Sequence, residues 1–335
     1  MLARLAATLL AAPFTQAVPP TFRVVLLESP PGAVCSPVAI NSGGEVAGWI
    51  SHTGRPWTSA AHWDADGSLK DLGHLGPGGQ SSARAINDSG VVAGNAFAPG
   101  SEPVLWSVHE GGRRIPCPRT ATAFDLNTAG DVLLQPFDSS AGIILGTQGD
   151  IISIDYPTGL GAAFSLNDDR RVAGCYLDGA HTIPFRWDAA QGFEVLALPL
   201  GASFIQAEAV AIAGDGTVAG YCRGSSQDRA VTWDAAGHCT VLGSSMIVLY
   251  ASYATDLNAN AWVVGSQLGL PVGGFPHMEY RGTVWVDGNP YELERQLEPG
   301  LVVKIAHASA VNRAGQILCF GSARGKYQAF RLDPL

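Results

Sequence analysis

Charge is scarce in this 335-residue sequence, with Asp, Glu, Lys and Arg together at 15% where an average soluble domain has about a quarter. Basic residues are the scarcer sign, 20 against 29 acidic, for a formal net charge of −9 at pH 7. They are also scattered, whereas a nucleic-acid surface needs clustered Lys and Arg, so neither DNA nor RNA is expected as a partner. The Arg113-Arg114 and Arg170-Arg171 pairs read as solvated turn positions. Helical periodicity is missing throughout. No apolar run is long enough to span a bilayer, and even the stretch from Ile143 to Ile154 is cut by Gly146, Gly149 and Asp150.

Motifs of common chemistry are missing too. There is no H-E-x-x-H, G-x-S-x-G, P-loop or dinucleotide fingerprint. The six Cys are irregularly spaced without a C-x-x-C, so no zinc site and no obligatory disulfide framework are expected. Cys222 and Cys239 fall on the second and fourth strands of one unit, about 10 Å apart and beyond disulfide reach. Asp64-Ala65-Asp66-Gly67 offers two acids and then enters a strand, whereas calcium wants six to eight oxygens. Neither a metal nor a cofactor is expected.

What is present is a repeat. Ala83 to Gly94 reads A-R-A-I-N-D-S-G-V-V-A-G, and degenerate copies centre on Asn41, Asn87, Asn127, Asn167, Ala213, Asn258 and Asn312. They lie about 40 to 54 residues apart, the period of propeller blades or long solenoid units. In each copy a run of small and apolar residues ends at Asn, a turn with Gly in most copies follows, and a Val-rich run returns. A third run ends in Trp63, Trp106, Trp187, Trp233 or Trp285, and a fourth apolar run follows a short turn. The Asn residues are read as local turn-formers and the Trp residues as core between neighbouring units. His62, just before Trp63, is expected to pack or cap there.

Four strands per unit and seven units make a seven-bladed β-propeller of four-stranded antiparallel blades. The seventh unit stops after its third strand, and a surplus strand-like run, Thr21 to Leu27, precedes the first. The N-terminal strand is therefore expected to close the ring, removing two open edges. Residues 21–335 are expected to form this single domain.

The pattern A-x-x-I-N-x-x-G-x-V-x-G, then a run ending in Trp, then Asp71-Leu72-Gly73, resembles the bacterial extracellular HAF repeat family over residues 38–332. The copy at Ala83 to Gly94 matches best. The third departs most, with Leu134 in place of the closing Gly and Leu145 in place of Trp. The resemblance implies a secreted or surface repeat protein and assigns no chemistry. The N-terminus agrees with export: Arg4, an apolar core from Leu5 to Ala12, then small residues around Thr15-Gln16-Ala17. Residues 1–17 are expected to be a signal peptide, and the mature protein a secreted, periplasmic or cell-surface monomer with no transmembrane segment.

One departure from the period points to a site. The sixth unit carries an insert from Gln267 to Tyr280 between its second and third strands, and insertions in repeat proteins collect on one face, often the binding face. Trp57, Phe275, His277 and Tyr280 are the candidate ligand-binding residues there, and no catalytic residue is assigned. The expected function is a non-enzymatic interaction module holding a protein partner or a glycan. The alternatives are a propeller hydrolase or lyase acting on an extracellular polysaccharide, and a structural surface array.

Overall fold

The turn chemistry of each repeat fixes its hairpin. A computed structural model describes residues 19–335 apart from 53, 55–56, 75–78, 98–99, 109–110, 116–119, 139, 200–203, 272–277, 301 and 324. In the second blade the Asn87 amide bonds the Val91 carbonyl at 3.0 Å and the Gly90 amide bonds back to Asn87 at 3.0 Å. Gly90 reaches this geometry at φ 71°, and Arg170 and Ala261 occupy the same slot at φ 57° and 58°, where a side chain costs about 1–2 kcal/mol. The closing Gly answers a different demand. A β-carbon on Gly94 would run into the Ser82 carbonyl of the paired strand, just ahead of the bulge between Ala83 and Ala85.

Seven four-stranded antiparallel sheets result. We call the strands of each blade a to d from the channel outwards. The first blade is Ala33–Ile40, Val46–His52, Thr58–Trp63 and Leu69–Gly73. The second to fourth blades occupy 81–114, 121–155 and 161–195. The fifth is Phe204–Ile212, Val218–Gly224, Arg229–Trp233 and Cys239–Val241. The sixth is Met246–Leu257, Val263–Pro271, Glu279–Val286 and Asn289–Glu292. The seventh has strands a to c at Val303–Val311, Ile317–Ala323 and Lys326–Pro334, and takes its strand d from the other end of the chain, Phe22–Leu26. Phe22 pairs with Pro334 and Leu26 with Phe330, so the ring is closed as the strand count requires.

The core lies between blades. Trp63, Trp106, Trp233 and Trp285 are fully buried there, and truncating such a side chain to Ala costs about 3–5 kcal/mol. Three of them also use the indole N–H to hold the chain entering their blade: Trp63 to Glu28 O at 2.8 Å, Trp233 to Ala197 O at 2.7 Å and Trp285 to Gly243 O at 2.8 Å. In two blades the residue before the Trp position supplies a second interblade tie. Arg186 pairs with Glu194 and donates to Gly216 O at 2.6 Å and Ala235 O at 2.9 Å in the fifth blade. Arg331 pairs with Asp333 and makes the matching bonds to Gly44 O and Ala65 O in the first.

Two expectations are corrected. Gln267 to Tyr280 is not a free loop, because both strands run on into it: Gln267 pairs with Arg281 and Leu268 with Tyr280. Gln267 is wholly buried and bonds Ser245 and Thr283. Arg170 does sit in a turn, but it is not left to solvent: its guanidinium spans from Asp131 to Asp150 of the preceding blade at 2.7 and 2.8 Å. Cys35, Cys175, Cys222, Cys239 and Cys319 are free thiols, while Cys117 lies outside the described residues. Among the described residues no helix is long and apolar enough to cross a membrane.

Candidate functional site

The shaft opens on two faces with different chemistry. On the face of the a–b turns, a basin of about 680 Å³ is lined by a ring of aliphatic residues, Ile40 to Val311, and above it the repeated Asn. Six Asn side chains are spent at both ends. Each Oδ1 accepts the backbone N–H four residues on, as Asn41 does from Glu45 at 2.9 Å and Asn312 from Gln316 at 2.9 Å. Each Nδ2 donates to the main-chain carbonyl of the equivalent residue in the next blade: Asn41 to Asn87, Asn87 to Asn127, Asn127 to Asn167, Asn167 to Ala213, Asn258 to Asn312 and Asn312 to Asn41. The turn role expected for these residues is present, and the same amides also clasp one blade to the next. They line the basin with each amide already bonded at both its oxygen and its nitrogen.

Beneath that ring two carboxylates are perturbed. Asp125 and Asp256 stand at matching positions, two residues before Asn127 and Asn258. Burial pushes Asp125 up to about 6 and Asp256 up to about 7, overcoming hydrogen bonds that favour the ionised form. Those bonds are interblade ties: Leu166 N to Asp125 at 2.8 Å and Val311 N to Asp256 at 2.8 Å. Their raised proton affinity follows from enclosure, and their oxygens are already occupied by backbone.

The opposite mouth, on the face of the b–c connections, is aromatic. Glu208, Tyr253 and His307 take equivalent places on strand a of the fifth, sixth and seventh blades, each just before the Ala that pairs with strand b. Arg223 bonds Glu208 at 2.8 Å and Tyr221 Oη at 3.2 Å. The Tyr221 and Tyr253 rings meet edge to face at 5.1 Å, and the Tyr253 hydroxyl donates to Asp228 at 2.8 Å. Burial and the Asp228 carboxylate push the Tyr253 phenol up to about 12; burial chiefly does the same to Tyr221, and it pulls His307 down. At neutral pH the mouth therefore presents protonated phenols and a neutral imidazole beside one satisfied ion pair. That combination packs against flat apolar faces and exchanges hydrogen bonds with hydroxyls and amides.

The predicted residues fare unequally. Tyr280 is 43% exposed, and its ring lies 4.7 Å from that of His307, which places it in this mouth. Trp57 is half-buried just before strand c of the first blade, and no ring contact joins it to Tyr280 among the described residues. Phe275 and His277 lie outside the described residues. Tyr221, Tyr253 and His307 escaped sequence reasoning because they sit on strands. The available signal was a bulky or charged residue, Glu208, Tyr253 or His307, where other copies have Ser36, Ser82, Thr122 or Ala162.

Among the described residues one group of possible metal-ligand atoms lies within 4.8 Å: Glu45, His62 and Asp64. His62 is buried, with Nε2 3.7 Å from Glu45 and Nδ1 3.6 Å from Asp64. Glu45 also accepts from Asn41 at 2.7 Å, so it is part of the interblade clasp.

No family model matches the chain, and no curated protein matches it. Solved structures do. A streptogramin B lyase structure is 14% identical, covering 94% of this chain and 97% of that one at a TM-score of 0.54. The β-propeller domain of the Trilobed protease from Pyrococcus furiosus, described as having an open velcro topology, is 13% identical over 90% and 95% at a TM-score of 0.61. YCF48 bound to D1 peptide is 9% identical over 99% and 100% at a TM-score of 0.54. At these identities the likeness is one of fold.

Proposed function

We propose that this chain is an exported, non-enzymatic β-propeller interaction module that holds a protein partner or a glycan on the face of the b–c connections. The observation that carries the reading is the aromatic mouth formed by Tyr221, Tyr253, Tyr280 and His307 across the fifth, sixth and seventh blades. Its acids are engaged: Glu208 holds Arg223, and Asp228 accepts from Tyr253. Aromatic faces and neutral hydrogen-bonding groups remain for a ligand. The N-terminal charge and apolar pattern and the HAF resemblance support export. One fold neighbour is a peptide complex and another a lyase, and a shared fold is compatible with either kind of function.

A hydrolase or lyase acting on an extracellular polysaccharide is the second reading. It is favoured by the His307 imidazole, whose pKa is lowered and whose ring lies against that of Tyr280, since a neutral imidazole in a mouth is a candidate general base. Glycan and peptide arrays probed with residues 18–335 separate the readings. A ligand is expected to bind and to lose about tenfold or more in affinity in Tyr280→Ala, with Trp57→Ala testing how far the site extends. Binding unchanged in the double variant would remove this face from consideration. Turnover of a bound polysaccharide, abolished by His307→Ala, would replace the binding reading with the catalytic one.

A further inference from the structure

A pocket of about 270 Å³ lies in the fifth blade on the same face, lined by Phe204, Gly224, Ser225, Ser226, Gln227, Arg229 and Val241. Arg229 opens strand c, opposite Cys222. One of its donors, Nη2, reaches the Leu242 carbonyl at 3.2 Å, while its Nε is enclosed without an acceptor. Among the described residues it forms no ion pair, and burial pulls its pKa down. The other arginines enclosed within blades are paired: Arg186 with Glu194, Arg281 with Glu279 and Glu294, Arg331 with Asp333. A half-buried guanidinium without a counter-ion is costly to the fold, and it is left facing a cavity.

We propose that this pocket takes a uronate residue of an acidic polysaccharide, with the sugar carboxylate on Arg229. The proposal deepens the binding reading above and rests on it. One guanidinium matches one carboxylate in charge. A doubly charged phosphate would lack a second cation, because Arg229 is the one cation among the described residues that line the pocket, and Arg223 is held by Glu208. Ser225, Ser226 and Gln227 set hydroxyl and amide groups around the space, and the Phe204 ring gives one apolar wall for a sugar face. Gly224 keeps that wall close: a β-carbon there would lie 3.1 Å from the Phe204 ring and 2.8 Å from Gln227 O.

Titration of residues 18–335 with glucuronate and galacturonate, followed by amide NMR at low salt, tests this. Glucose and N-acetylglutamate serve as comparators. Uronate is expected to shift the resonances of Ser225 to Arg229, glucose to leave them in place, and Arg229→Gln to weaken uronate binding at least tenfold while its melting profile stays cooperative. Should Arg229→Gln fail to fold, the wild-type shifts and a weakened but measurable response in Arg229→Lys decide instead. Uronate that shifts nothing, or that binds Arg229→Gln as it binds the wild type, overturns the proposal. N-acetylglutamate binding as tightly as the uronates also overturns it and assigns the pocket to peptide carboxylates. An array ligand lost in Tyr280→Ala but kept in Arg229→Gln removes this pocket and leaves the binding module standing.

Discussion

One absent amide opens the asparagine ring. Ala213 keeps the backbone turn of the other copies, with its amide on Thr217 O at 2.8 Å and the Gly216 amide on its carbonyl at 3.0 Å. Having no side-chain donor, it leaves the Asn258 carbonyl without the interblade bond that the other six junctions possess. Ala213→Asn is expected to supply it and to raise stability by about 1 kcal/mol, the net value of an ordinary hydrogen bond. Urea unfolding checks this, and a lower midpoint would mean that the fifth turn cannot seat an amide. The irregularity at Ala213 was legible in the sequence, and so was the turn role of its counterparts. The clasp was not, because the acceptor of Asn41 lies on Asn87 and becomes visible only once neighbouring blades are set side by side.

Strand number and order were legible because turn residues punctuate every hairpin, and the third blade kept its place despite Leu134 and Leu145. The ends of the elements were less so. The sixth blade's insert holds no repeat motif, yet Gln267 and Leu268 continue the ladder, since a longer strand pair can bury a glutamine that finds Ser245 and Thr283. Tyr253 and His307 stayed hidden as site residues because a strand in a repeat looks structural until its channel side is known. The surplus strand was readable from counting alone, and its contribution is now specific: Phe22 is wholly buried in a cluster with Phe330 and Leu332. Deleting Phe22–Leu26 is expected to lower the melting temperature and broaden the transition, since it empties that cluster and exposes an edge. A truncated chain that melts like the full-length one would show that the ring does not depend on this closure.

For the whole molecule, acidity acts in two opposed ways. Asp125 and Asp256 stay protonated up to about 6 and about 7, whereas an unfolded chain releases such protons near 3.9. The folded state thus binds more protons between about pH 4 and 7, and stability falls as pH rises through that window. Asp66, Asp131, Asp234 and Asp333 are lowered instead, so their contribution is lost as pH falls below about 4. Stability is expected to peak near pH 4–5 and to decline toward pH 7, each pKa unit being worth at most about 1.4 kcal/mol. Both residues are half-buried and not wholly enclosed, so screening makes that figure an upper bound. Urea midpoints at about pH 4.5, 6 and 7.5 test this, and a steady rise across the three would contradict it. The paired ends also impose an order in time. Val24 and its partner Leu332 are 308 residues apart (332 − 24), so at about 5–20 residues per second the strand made early waits roughly 15–60 s for the one made late. Closing so long a loop costs about 5 kcal/mol of chain entropy, which the junction recovers only on completion. A ribosome-bound chain therefore holds blades but no ring, and a chaperone that masks the waiting strand would act on the last junction to form.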